Sequence, residues 1–257
     1  MKDWTVKEDF LREVELPMYE GKYAVIPHNV FIGELQEQLD KKNMVIGSKK
    51  YLTGNNGAIL TGEYGIISNI EEESQIAIGF HNSYNKKMKA GVYGGMLMLV
   101  CSNGAYSFGQ NMYKRKHTGN ALQELRHQMI NVIEEAESSY VQLVAEKEAM
   151  KQRELTKQTI AALVGDMWLN EQLLNTTQIE IIRKQMLYSE AFHEKTAWSL
   201  YNWCTEAIKE AHPSNYIKQH LKLNTYISNK LQLSAVRKNV YGVMAEELVP
   251  EEELELA

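Results

Sequence analysis

The fold class predicted for this chain is α+β, an antiparallel sheet packed with helices and followed by a mainly helical C-terminal half. Three observations predict it. Residues 44–108 are short apolar or alternating runs separated by turn-forming residues. Beyond residue 118 the apolar residues recur at three-and-four spacing, the period of a helix packed on one side. Strands grouped first and helices grouped later are the chain order of an α+β protein rather than of alternating βαβ units.

Taken in order, residues 1–20 are acidic and irregular, which fits a strap or short helix. Val30, Phe31, Leu35 and Leu39 form an amphipathic helical run that Asn29 can cap, with Lys41 and Lys42 near its C-terminal dipole. Four strand-like runs follow, at 44–52, 58–67, 75–80 and 91–101. Gly54-Asn55-Asn56-Gly57 is a hairpin signal, because glycine and asparagine accept positive φ at small steric cost. Thr118 then opens a long helix whose stripe is Leu122, Leu125, Met129, Val132, Ala136 and Leu143. With no glycine or proline between Gly119 and Gly165, it either breaks near residue 145 or reaches a partner, and the stripe predicts a homo-oligomer. Thr177 and Glu180 fit a capping box for a helix over 178–192. Further helices are expected at 194–211, stopped by His212-Pro213, and at 215–231. The expected organisation is a sheet-rich core over 1–120, a helical region packed on it over 121–235, and an acidic tail over 236–257.

Composition bounds the function. Two distant cysteines, Cys101 and Cys204, supply no disulfide framework. The longest apolar run, Met96 to Cys101, falls far short of the ~20 residues of a membrane helix. A cytoplasmic, soluble protein without a membrane segment is expected. No CxxC, HExxH, GxxxxGK[ST] or GxGxxG pattern occurs, so metal, cofactor and catalytic residues are expected to be absent. Glu71 to Glu73 reads as a solvated turn.

Charge is the most informative feature. The window from His81 to Ile130 holds Lys86, Lys87, Lys89, Lys114, Arg115, Lys116 and Arg126 against the single acid Glu124, a balance of +6 in a chain whose net charge is -5. A basic island in an acidic protein points to an anionic partner. Tyr84, Tyr93, Tyr106 and Tyr113 interleave with these cations. Cations that neutralise phosphates and rings that stack on unpaired bases form the composition of a single-strand groove, with Tyr84 and Tyr113 as the stacking candidates. Lysines in solvated turns and tyrosines filling sheet faces would give the same pattern. Thr118 could cap its helix beside Lys114, Arg115 and Lys116 and leave an anion site.

The segments HNSYN (His81 to Asn85), VCSNG (Val100 to Gly104), KHTGN (Lys116 to Asn120) and TAWSLYNWCTE (Thr196 to Glu206), in this order, resemble the phage/plasmid-like family catalogued as domain of unknown function 932. The resemblance covers roughly residues 20–225. It departs at Tyr84-Asn85, where the family often has an aspartate. It implies a phage or mobile-element origin but no activity. The order of helix, antiparallel strands and long helix is also similar to the core of phage single-strand annealing proteins. Two functions are therefore expected as alternatives. One is a single-strand nucleic-acid binding or annealing protein, and the other is a protein-interaction factor such as an inhibitor of host defence that docks on a host protein.

Overall fold

The computed structural model describes residues 4–18, 24–68, 70, 72–86, 88–99, 104–106, 112–115 and 120–233, with the backbone alone at 104–106 and 112–115. The expected acidic tail, Lys87, Lys116, Thr118 and Cys101 lie outside these residues.

The N-terminal strap contains a two-residue strand β1 (Thr5–Val6) and one helical turn α1 (Phe10–Glu13). Helix α2 (His28–Lys41) precedes the meander β2 (Ile46–Gly54), β3 (Ile59–Ile66), β4 (Ser74–Ser83) and β5 (Ala90–Met98). Two short strands, β6 (Gly104–Tyr106) and β7 (Met112–Arg115), both pair antiparallel with β5. They lie end to end along its free edge, completing a seven-stranded antiparallel sheet. The helical half comprises α3 (Ala121–Lys151), α4 (Lys157–Leu169), α5 (Thr176–Tyr188), α6 (Ala197–Ile208) and α7 (Pro213–Lys230).

The β2–β3 hairpin forms as its residues require. Asn55, Asn56 and Gly57 all have positive φ (53°, 53° and 85°). At Gly57 an added Cβ would also strike the Val14 side chain, so the strap is seated on the turn.

Every residue of β3, β4 and β5 is buried. A half-solvated antiparallel sheet would alternate, so this one is a middle layer. Helices α2 and α3 cover one face and α7 the other. On the first face Phe31 of α2 packs against Phe80, which also meets Tyr51 and Tyr64. The Tyr140 hydroxyl of α3 donates to the Ser74 carbonyl at 2.9 Å.

Leu125, Met129 and Val132 are fully buried within the chain, and α3 packs on β4 and β5. This stripe therefore has its partner inside the subunit and supplies no argument for self-association. The helix runs unbroken through residue 145 and ends at Lys151, about 46 Å long at 1.5 Å per residue. Its length is used internally: beyond the sheet it meets α6, and Glu146 accepts from the Ser228 hydroxyl of α7 at 3.2 Å. Glu72 and Glu73 stand exposed at a bend before β4, and Lys147 and Lys151 hold the Glu73 carboxylate at 3.1 and 2.9 Å.

Several boundaries differ from expectation for local reasons. Helix α2 begins at His28 after Pro27, so Asn29 lies inside its first turn instead of capping it. The capping box near residue 177 is formed by Asn175 and Gln178, each side chain bonded to the other's backbone N–H. Pro213 does not only stop α6; it occupies the first turn of α7, where its missing N–H has no intrahelical use.

Arg126 clasps Glu34 of α2 through two 2.6 Å hydrogen bonds. That guanidinium, aided by Gln38 and opposed by burial, holds the Glu34 carboxyl below its usual range. A depressed folded pKa stabilises at pH above the unfolded value of about 4.3 and loses the contribution as pH falls through the folded value. Thermal unfolding of Glu34→Gln should accordingly differ from wild type at neutral pH, with the difference shrinking on acidification below about pH 4. A difference independent of pH between 7 and 3 would contradict this pairing.

Candidate nucleic-acid interface

The HNSYN segment ends β4, and strand alternation sends its residues to two different faces. Asn82 and Tyr84 turn toward α2. The His28 Nε2–H donates to the Gly57 carbonyl at 2.8 Å, which leaves Nδ1 to accept from Asn82 Nδ2 at 3.0 Å. Asn82 also donates to the Ile26 carbonyl, and the Tyr84 hydroxyl accepts from the His28 backbone N–H at 2.6 Å. The Tyr84 ring stacks on the His28 ring at 3.9 Å and is only 2% exposed. This corrects the expectation that Tyr84 stacks on a nucleic-acid base, because the ring face is already occupied inside the protein. Tyr84→Phe is expected to cost about 1 kcal/mol of stability through the lost acceptor. It should leave ligand affinity unchanged, which paired denaturation and binding titrations would check.

His81 faces the other way, toward α7. It lies opposite Thr61 on β3 and Gly91 on β5, and the Thr61 hydroxyl donates to the Pro213 carbonyl at 2.7 Å, fixing the start of α7 over this row. Tyr93, fully buried beside His81, shares a hydrogen bond with its imidazole at 2.9 Å. Burial pushes the Tyr93 phenol well above its ordinary range, so it keeps its proton.

Between this row and α7 lies a cleft of about 590 Å³. Asn55 at the hairpin tip, Met88 and Lys89 from the β4–β5 turn, and His212, Lys218 and Lys222 from the α7 side line it around Ile59, Ile217 and Leu221. Lys218 and Lys222, four residues apart on α7, face the same side of that helix. Both are exposed, as is Lys89. Among the described residues that line the cleft, none is acidic. The nearby Glu63 is buried under α7 and its carboxylate is paired with Lys50 at 3.2 Å. His212 is held at the mouth by Trp4, whose ring meets it edge-on at 5.0 Å, and its Nδ1 accepts from the Ser214 N–H to cap α7. The imidazole lies directly over Gly54, where an added Cβ would fall 2.7 Å from Nε2. A bare glycine is therefore required for the ring to sit there.

The sequence-predicted cations separate. Lys89 lines the cleft and Lys86 is exposed in the same turn, at a positive φ of 64°. Lys114 pairs with Gly91 and so shares the row of His81, while Tyr113 pairs with Val92 in the row of Phe80 on the opposite face. Arg115, pairing with Ala90, falls on the same face as Tyr113. Arg126 is committed to Glu34 and serves the α2–α3 contact rather than a groove. Lys87 and Lys116 lie outside the described residues. Sequence reading missed His212, Lys218 and Lys222. The i,i+4 lysine pair following His-Pro was the available signal, but nothing local shows which surface it overlooks.

Cys204 is fully buried, and that burial raises its thiol out of the reactive range. The TAWSLYNWCTE helix is packing material: Trp198 stacks on Tyr201, and Asn202 donates to the Trp198 carbonyl one turn earlier. Among the described residues no group of three or more histidines, cysteines or acids is placed to hold a metal ion, and no helix is long and apolar enough to cross a membrane.

Neither the curated proteins nor the solved structures contain a match to the chain. The family described as Domain of unknown function (DUF932) matches it over residues 16–231. That span takes in strands β2 to β7, the cleft and the whole of α7, so the chain belongs to the domain of unknown function 932 family.

Proposed function

We propose that this is a phage or mobile-element protein that binds single-stranded nucleic acid, with Lys89, Lys218 and Lys222 neutralising phosphates at the cleft between the sheet and α7. The observation that supports this most is the convergence of three lysines from two distant segments on a cleft whose described lining has no acid. In a chain of net charge -5 such a local excess is a directed electrostatic feature. Strand register places Lys114 opposite Gly91, in the row of His81. The order of α2, antiparallel strands and α3 adds the likeness to phage annealing proteins, which is an argument from fold alone.

The test is a titration of labelled single-stranded and duplex DNA against the intact chain across a salt series. Tighter binding to the single strand is expected. Log affinity should fall linearly with log salt, with a slope of about 0.7 per phosphate contact. Absence of single-strand binding even at low salt would overturn the reading and favour a factor that docks on an acidic host protein.

A further inference from the structure

We propose that the cleft is a pocket for one nucleotide unit bearing a terminal phosphate, either a strand end or a free mononucleotide, rather than a groove through which a strand passes. This rests on the nucleic-acid reading above and narrows its ligand. Size is the first argument. At about 590 Å³ the cleft lies inside the range of about 300–1,000 Å³ typical of small-ligand pockets.

Its walls are the second argument. The hairpin tip at Asn55 and the β4–β5 turn at Met88 and Lys89 flank the cleft, while Ile217, Lys218, Leu221 and Lys222 form a helical wall. Lining drawn from separate turns and a helix describes a local hollow.

Charge is the third. An internal phosphodiester carries one negative charge, whereas a terminal phosphate monoester carries about -1.5 to -2 at neutral pH. Three ammonium groups around one hollow match the monoester better. The lining is also divided in the way a nucleotide is. Ile59, Ile217 and Leu221 form a tightly packed apolar floor only 1–2% exposed, half-buried Met88 is the apolar side chain open beside it, and the lysines stand at the exposed side. The His81–Tyr93 pair supplies the polar groups deeper in, with His81 only 7% exposed.

The intact chain would be titrated with one labelled single-stranded oligonucleotide in 5′-phosphorylated, 3′-phosphorylated and unphosphorylated forms, and with a circular single strand of similar length. Unlabelled deoxyadenosine monophosphate and inorganic phosphate would serve as competitors. One of the phosphorylated ends should bind at least about tenfold tighter than the unphosphorylated and circular forms, and the mononucleotide should compete better than phosphate alone. Equal binding of all four strands, without competition by the mononucleotide, would overturn the pocket while leaving single-strand binding intact. Binding of the mononucleotide without any strand would uphold the pocket and overturn the strand reading. No binding of any probe would overturn both. Competition by inorganic phosphate equal to that of the nucleotide would reduce the site to a phosphate site and overturn its nucleotide specificity.

Discussion

Replacing Lys89, Lys218 and Lys222 together by alanine is expected to weaken single-strand binding by about a hundredfold or more at low salt and to flatten its salt dependence. The reason is counterion release. Each neutralised phosphate charge contributes about 0.7 to the log–log slope. The loss is therefore about 2 where the lysines hold three phosphates of a strand, and at most about 1.4 where they converge on one terminal phosphate. All three side chains are exposed, and substitutions of that kind usually stay within about 0.5 kcal/mol of wild-type stability. The matched control replaces Lys41, Lys42 and Lys230, which pair with Glu37, Glu134 and Asp166 away from the cleft. It changes net charge by the same amount, so a general charge effect would weaken both variants alike. Equal losses would sink the assignment of the cleft.

The largest stability effect is expected at Trp203. Its side chain is fully buried in α6, and its indole N–H donates to the Phe192 carbonyl at 3.1 Å. Helix α6 is the hub of the helical half, touching α3, α5 and α7. Trp203→Ala removes a large apolar volume from a helix packed against three others, and it strips the Phe192 carbonyl of its donor. A loss of about 3–5 kcal/mol is expected, against a total stability of about 5–15 kcal/mol for a domain. Urea unfolding should show a much lower midpoint with an unchanged slope. Trp168, 43% exposed on α4, provides the contrast, and its alanine variant should lose less than about 1 kcal/mol. A Trp203 variant as stable as the Trp168 variant would refute the packing account.

These expectations draw on different levels of the chain. The strands, the long helix and the hairpin were legible in the residues because their causes act within about four positions. Asn55, Asn56 and Gly57 tolerate positive φ wherever they occur, and Leu125, Met129 and Val132 mark one helix face without reference to any partner. The same locality explains the near misses. Asn175 and Thr177 are both good caps two residues apart, and packing around Gln178, which is fully buried, decides between them. The long helix was legible as a helix, but its covering surface was not, since an apolar stripe looks the same whether a sheet or a second subunit buries it.

The site divides in the same way. Sequence by itself determined the α+β class, the family, and a basic island around Lys89 and Lys114. It could not show that Tyr84 is spent on His28, that Arg126 is spent on Glu34, or that Lys218 and Lys222 stand across from His81. Each of these pairings joins residues more than fifty positions apart, and local propensities are blind to such distances. Only the tertiary structure sorted the charges, because packing α7 over the His81 row is what turns separate lysines into one cleft.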